Sequence, residues 1–434
     1  MFAKQKYIPD DTLQTQFAAM PVASSPWLAK RRTNAVAGYQ GYPTTALENW
    51  KFTNVKPMLM QEQVSARPNQ GDISAALEQL DALPAGYRVV FVNGVFHTAL
   101  SELPKLAGVE IQSLAQMLEH NAGHLEAYYG RLSEKYDNSF AQANLVLAQD
   151  GLAIRIEESV VLDQPIIVGH IFTGGAQALQ CHSRNVYVLK AGAQAEIVEM
   201  QIGVPDAMYI ANTTSEIFLG GAAQLRHSFI QNESDQGASI QSRYIWQEKR
   251  SQFHGVALTT GAWVNRIETQ ITLGGIESHA AQHTVQLLRE NRHSDSMTHV
   301  VHDTPEATSN QHCRMILNDS AKGAFQGKTT VKRDAQKTDA HQLNKNLLLS
   351  RNAKVDSKPE LEIYADDVKC AHGATTGELD EMALFYMQSR GIEPDVAKQL
   401  LVEAFADEVI EQTPLDDAMK AVLRRYVAQW MMQQ

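Results

Sequence analysis

The spacing of apolar and polar positions changes period twice along the chain. Residues 13–20 and 73–83 carry apolar side chains at helical spacing, and residues 113–147 return to it. Between the first two, residues 39–57 are rich in Gly, Pro and Thr and read as a polar connector holding Leu47-Glu48-Asn49-Trp50-Lys51-Phe52-Thr53. In Arg88-Val89-Val90-Phe91-Val92-Asn93-Gly94-Val95-Phe96 two apolar runs flank Asn-Gly. That predicts a hairpin, because Asn and Gly tolerate the positive φ of a two-residue turn.

From about residue 151 to 375 the period falls to two. Val186-Tyr187-Val188-Leu189, Ala195-Glu196-Ile197-Val198-Glu199-Met200, Ile267-Glu268-Thr269-Gln270-Ile271-Thr272-Leu273 and Leu361-Glu362-Ile363-Tyr364 are examples. Alternation of this kind gives a strand with one buried face. Small pairs punctuate the runs at Gly192-Ala193, Gly221-Ala222, Gly237-Ala238, Gly261-Ala262, Gly323-Ala324 and Asn352-Ala353, with irregular gaps such as 29 (192 to 221) and 24 (237 to 261). Recurrent short strands between turns fit a β-solenoid, and a β-sandwich equally. After residue 375 helical spacing resumes over 379–389, stopped by Gly391. A second helix opens at Pro394, and a third covers 415–430. Three regions follow: 1–150 mostly helical with a short hairpin near 88–96, 151–375 β, and 376–434 helical.

Composition narrows the function classes. At 434 residues the chain exceeds the roughly 150 residues of an average domain. Hydrophobic residues at 44% and charged residues at 20% describe a folded protein rather than a disordered one. A net charge of −11 gives no footprint for a phosphate backbone, so no nucleic-acid partner is expected. The N-terminal stretch is mixed and polar, and no run reaches the ~18 apolar residues of a membrane span, so a cytoplasmic location without membrane contact is expected. The three cysteines, Cys181, Cys313 and Cys370, are far apart and suit a reducing compartment. Three scattered thiols cannot by themselves complete a four-thiolate site.

Candidate chemistry is sparse. Gly323-Ala324-Phe325-Gln326-Gly327-Lys328-Thr329 is one residue short of a phosphate-binding loop, and Thr329-Thr330-Val331-Lys332 reads as a strand where that loop needs a helix. His279, His283, His293, His299, His302 and His312 crowd one segment without Cys or carboxylate at ligand spacing, and are expected at the surface. Cys370 and His372 stand at i and i+2, so on a strand a thiol and an imidazole share one face and can reach one metal. A packed Cys beside a hydrogen-bonded His satisfies the same spacing. Cys181 and Cys313 read as packing residues.

The block Lys358-Pro359-Glu360-Leu361-Glu362-Ile363-Tyr364-Ala365-Asp366-Asp367-Val368-Lys369-Cys370-Ala371-His372-Gly373-Ala374-Thr375 resembles the SufD family of iron–sulfur cluster assembly scaffolds, within the SufB/SufD superfamily. Leu343-Asn344-Lys345-Asn346-Leu347-Leu348-Leu349, Lys354-Val355-Asp356-Ser357, Glu48-Asn49-Trp50-Lys51-Phe52-Thr53 and Ser389-Arg390-Gly391-Ile392 are similar too. The likeness runs from about residue 40 to the C-terminus, so Lys30-Arg31-Arg32 stands outside it. It implies a mainly β fold, with a right-handed parallel β-helix flanked by helical regions. It also implies a non-catalytic scaffold in a SufBCD-type complex, with a SufB-like paralogue and a SufC-like ABC-type ATPase as partners and a homodimer in isolation. The cargo it implies is a transient iron–sulfur cluster shared with the SufB-like subunit. The family's cluster-ligand histidine falls on His372, with Cys370 as helper. A second class must stand beside this one: parallel β-helices also form carbohydrate lyases and hydrolases, which use clustered carboxylates. Here Asp366-Asp367 is the obvious acidic pair near a strand, and neighbours on a strand face opposite ways.

Overall fold

The computed structural model describes residues 5–10, 12–20, 25–66, 71–175 and 177–432. It is mainly β, a parallel solenoid of about seven turns with helices at both ends. Each coil supplies one strand to each of two facing sheets. The first sheet runs through Ile166–Phe172, Gln194–Gly203, Gln224–Asn232, Gln252–Thr259, His279–Leu288, Thr308–Leu317, Asp339–Leu348 and Lys369–Gly377. The second runs through Ala178–Leu189, Tyr209–Leu219, Gly237–Gln247, Val264–Leu273, His293–His302, Lys322–Val331 and Lys354–Ile363.

The coils stack in register at their corners. Gln194, Gln224, Gln252, His279, Thr308, Asp339 and Lys369 align from strand to strand. The residues just before them, Ala193, Ala223, Ser251, Ser278, Ala307 and Thr338, are at most 1% exposed. They are small because two coils meet there, and each carbonyl accepts an N–H from the next coil, as in Gln224 N to Ala193 O at 2.9 Å. The coil varies from 26 residues (Ala238 to Val264) to 32 (Lys322 to Lys354), which explains the irregular punctuation. Many corners turn through a left-handed residue that is not glycine: Asp206, Ala222, Arg250, Ala262, Glu277, Glu290, Glu306, Asp319 and Lys337, with φ of 52–64°. The stacked backbone ladder holds these residues in a conformation that L side chains disfavour. Gly323-Ala324, expected as a turn, lies inside Lys322–Val331 instead.

The two ends are built differently. At the N-terminal end Tyr87–Val92 adds in parallel to Ile166–Phe172 and folds back as a hairpin onto Val95–Phe96. Asn93 and Gly94, with φ of 51° and 79°, form the expected tight turn. Val109–Ser113 closes the second sheet, antiparallel to Leu152–Ile156. Helices Pro26–Gly38 and Ser139–Leu147 pack over this end. The Lys30-Arg31-Arg32 run belongs to that packing: Arg31 pairs with Glu134 at 2.8 Å, and buried Arg32 donates to the Ala148 carbonyl at 2.9 Å. At the C-terminal end Lys354–Ile363 and Lys369–Gly377 are the last strands of their sheets.

Both outer faces are covered. Val198, Met200, Ile230, Leu258, Val285, Leu287 and Ile316 form an apolar stripe on the first sheet, and Val402, Ala406, Val409, Leu423, Tyr426 and Trp430 pack onto it. Those residues recur every three or four positions along Pro394–Ile410 and Asp417–Met432, giving each helix one apolar face. The second sheet receives the segment 48–53. The Arg266 guanidinium lies 4.1 Å from the Trp50 ring, and the Asp295 carboxylate accepts from Arg266, from Thr53 at 2.6 Å and from Gln326. Glu48 meets Lys358 at 2.6 Å. The Trp50 motif is therefore a strap fastened by a buried ion pair.

Candidate functional site

Position 359 is a proline, which cannot donate to a ladder and is confined to sheet edges. The strand that contains it, Lys354–Ile363, is an edge strand. Lys369–Gly377 is the other, and only Cys370 and Gly373 of its nine residues are even half-buried. Interior strands such as Ile166–Phe172 are buried throughout. Among the described residues, the backbone groups of these last strands that point away from the solenoid have no further strand to pair with. Charges blunt the edge: Lys358 pairs with Glu48 and Glu360, and Glu362 pairs with Lys328 at 2.8 Å. The Lys328 ammonium holds the Glu362 carboxyl below its ordinary range. Lys328 lies on a strand, in an ion pair, and not in a phosphate loop.

Cys370 and His372 sit on this last strand. They align with Ala340 and Gln342 of the preceding coil, so both occupy the face that lines the lumen in earlier coils. Gly373 follows, with little beside it except Leu343. The two residues differ in surroundings. His372 is exposed. Cys370 is half-buried against Val331, Ala335, Ala365 and Val368. Burial, and then the Asp339 charge, push its thiol above the ordinary value. The thiolate is the ligand and nucleophile, so Cys370 is held in its less reactive form. Among the described residues no three His, Cys, Asp or Glu side chains converge where a metal could bind. This end therefore presents one exposed imidazole and one sheltered thiol on the same face of the last strand.

Cys181 and Cys313 are buried, with the Cys313 thiol pushed up by burial to about 12. The histidine segment departs from expectation. His283 and His302 are buried, and the other four are half-buried rather than at the surface. His283 faces the His312 ring edge-on at 5.6 Å, and His302 Nε2 lies 2.8 Å from the Ser309 hydroxyl. Burial brings His283 down to about 3 and His302 to about 4, so both are neutral at pH 7. Asp366 and Asp367 lie in the last corner, not on a strand, and are exposed.

The three C-terminal helices differ in how much of their apolar surface is covered. Tyr426 and Trp430 are buried, while Met382 (80%), Phe385 (73%) and Tyr386 (59%) stand in solvent on Glu381–Ser389, a helix with no buried residue. Val396 and Leu400 on the next helix are also exposed. Among the described residues no helix is long and apolar enough to cross a membrane.

Comparison with known proteins places residues 1–168 and 171–405. Residues 171–405 match the family model for the SUF system FeS cluster assembly SufBD core domain, and residues 1–168 the SufBD protein N-terminal region. A SufBD family iron–sulfur cluster assembly protein of Synechocystis sp. is 31% identical over 85% of this chain and 83% of the relative. The iron–sulfur cluster assembly protein SufD of Escherichia coli is 30% identical over 89% of this chain and 88% of its own. The chloroplastic protein ABCI7 of Arabidopsis thaliana is 28% identical over 93% of this chain and 86% of its own.

Proposed function

The chain belongs to the SufBD family of iron–sulfur cluster assembly proteins, and from that premise we propose that it is a non-catalytic scaffold subunit. It holds one side of an interface where nascent clusters form, and passes them on to apoproteins. The observation that carries the reading is the open last coil, which presents the His372 imidazole with Cys370 beside it and no complete ligand set. A cluster needs up to four ligands, so the rest must come from a second chain. An edge strand with unpaired backbone groups is a ready template for that chain. A SufB-like paralogue fits the role, and a second copy of this chain takes the same edge when the paralogue is absent. His372 is the ligand, since a neutral imidazole coordinates without losing a proton. Cys370 is a helper or transient contact. The exposed Met382, Phe385 and Tyr386 are the docking surface for a SufC-like ATPase, and the assembly works in the cytoplasm. The alternative, a carbohydrate lyase or hydrolase, finds little support in a single exposed acidic corner at Asp366 and Asp367.

The test is co-expression of this chain with its SufB-like and SufC-like neighbours, as wild type and as His372→Ala. Subunit stoichiometry, iron content and thermal stability are read on one preparation. The expected result is an intact complex of normal stability with far less iron, and a milder loss in Cys370→Ser. Normal iron in His372→Ala would sink the ligand assignment, while a joint loss of stability and complex yield would make His372 a structural residue.

A further inference from the structure

His372 ends a column of side-chain amides. Gln282, Gln311, Gln342 and His372 align from strand to strand on the first sheet, all on the lumen face. Gln311 and Gln342 both reach across to the facing sheet, where each Nε2 donates to the Thr329 hydroxyl oxygen at 3.1 Å. Gln311 and Gln342 are 2% and 3% exposed, and the Oε1 of each is buried without a hydrogen-bond partner, but only Gln342 has an imidazole in register on its outer side. A buried carbonyl oxygen of this kind needs a donor. Asn344, two residues along the same strand, has its amide nitrogen committed to the Cys313 carbonyl and to Asn346. The imidazole of His372 stands one strand further out, with no hydrogen-bond partner among the described residues. Neighbouring strands are about 4.8 Å apart, so a rotamer change of the exposed His372 ring is enough to bring it to the Gln342 amide.

We propose that Gln342 is a positioning residue for His372, with its Oε1 accepting one imidazole N–H. Thr329 fixes the amide by binding its nitrogen, which settles where the oxygen can point. Gly327 gives the amide room, since a Cβ there would meet the Gln342 Cδ at 3.2 Å. The bond selects one neutral tautomer and leaves the lone pair of the other ring nitrogen free at the open end. Metal-ligating histidines usually donate their second N–H in this way, which sets ring orientation and ligand basicity. The consequence for iron rests on His372 being a cluster ligand, whereas the hydrogen bond itself does not.

The experiment is carried out on the full chain without metal, labelled with 15N in the histidine rings, by long-range proton–nitrogen correlation at pH 8. The His372 signals are those missing from His372→Ala. Wild type is expected to show one dominant tautomer, Gln342→Leu the mixture of a free imidazole, and Gln342→Glu, which keeps an acceptor oxygen, the single tautomer again. A free-imidazole mixture in wild type, or a spectrum unmoved by Gln342→Leu, overturns the hydrogen bond. In the co-expressed complex Gln342→Leu should lower iron content by about tenfold, the lower end of what losing such a partner costs in metal affinity. Unchanged iron there, with the tautomer shifted, overturns the positioning role. Normal iron in His372→Ala instead overturns the ligand reading and leaves the tautomer result standing.

Discussion

The first and last coils of the solenoid share one backbone ladder and differ in what lies beyond it. The strand Ile166–Phe172 is buried along its whole length, with Tyr87–Val92 beyond it. Phe91 stacks on the His170 ring at 5.0 Å in the gap that would otherwise be open. The strand Lys369–Gly377 follows the same register, and among the described residues no strand lies beyond it. Packing makes the first end inert, and the lack of it makes the last end chemically available. A thiol or imidazole deep in the coils is pushed toward its neutral form by burial, as at Cys313 and His283, and no partner chain can reach it. The same residue types on the last coil can meet another protein.

The sharpest way to break this comparison is to truncate one apolar side chain at each end. Phe91→Ala removes a fully buried ring and should cost about 3–5 kcal/mol in denaturant unfolding. Leu361→Ala, half-buried on the last coil, should cost about 1 kcal/mol or less. Equal losses would mean that the last coil is covered even in the isolated chain.

Acid should act on the closed part. His254, His283, His299 and His302 are brought by burial to about 3–4, below the ordinary value of 6.5. The unfolded chain then binds more protons than the native one between those limits. The stability they contribute is complete above pH 6.5 and falls as pH drops toward 4, by up to about 1.4 kcal/mol per group and pH unit. Glu199 extends the loss: burial opposes its charge, but His227, Arg243 and His170 outweigh this and bring its carboxyl to about 2. Its contribution disappears between pH 4.5 and 2. Thermal melts from pH 7.5 to 4.5 should show a steep decline that His302→Gln makes shallower, and a flat profile would contradict the burial of these rings.

Thiol labelling distinguishes the ends at smaller scale. In the native chain iodoacetamide should modify Cys370 alone, slowly at pH 7.5 and faster as pH rises past 9, because its thiol is raised. Rapid modification of Cys181 or Cys313 would mean that the coils open. The smallest effect is expected from Lys358→Ala. It removes the half-buried ammonium that pairs with Glu48 and Glu360 at the surface and should shift stability by no more than about 0.5 kcal/mol. Arg266→Ala, in contrast, strips the buried Asp295 of its partner under the same strap, and should cost about 3–5 kcal/mol.

Much of the architecture follows from the sequence because its signals are local. Period-two alternation marks the strands, Asn93-Gly94 marks a hairpin whose turn needs positive φ at both residues, and the i, i+2 spacing of Cys370 and His372 puts them on one face. The corners gave weaker marks, since Arg250, Glu277, Glu290 and Lys337 occupy left-handed positions where glycine would have been visible. Long-range packing decided the rest. The alternation of a strand says nothing about whether another strand or water lies beside it, so the last coil reads like an interior one apart from Pro359. The histidines of 279–312 look polar in sequence, yet coils above and below cover them, with the C-terminal helices over the first sheet and the Thr53 strap over His293 on the second. Helical spacing does not distinguish Tyr426 and Trp430, which the apolar stripe of the first sheet covers, from Met382, Phe385 and Tyr386, which stay in water. Which side of each element is buried depends on contacts between residues far apart in the chain, and only the folded coils bring those residues together.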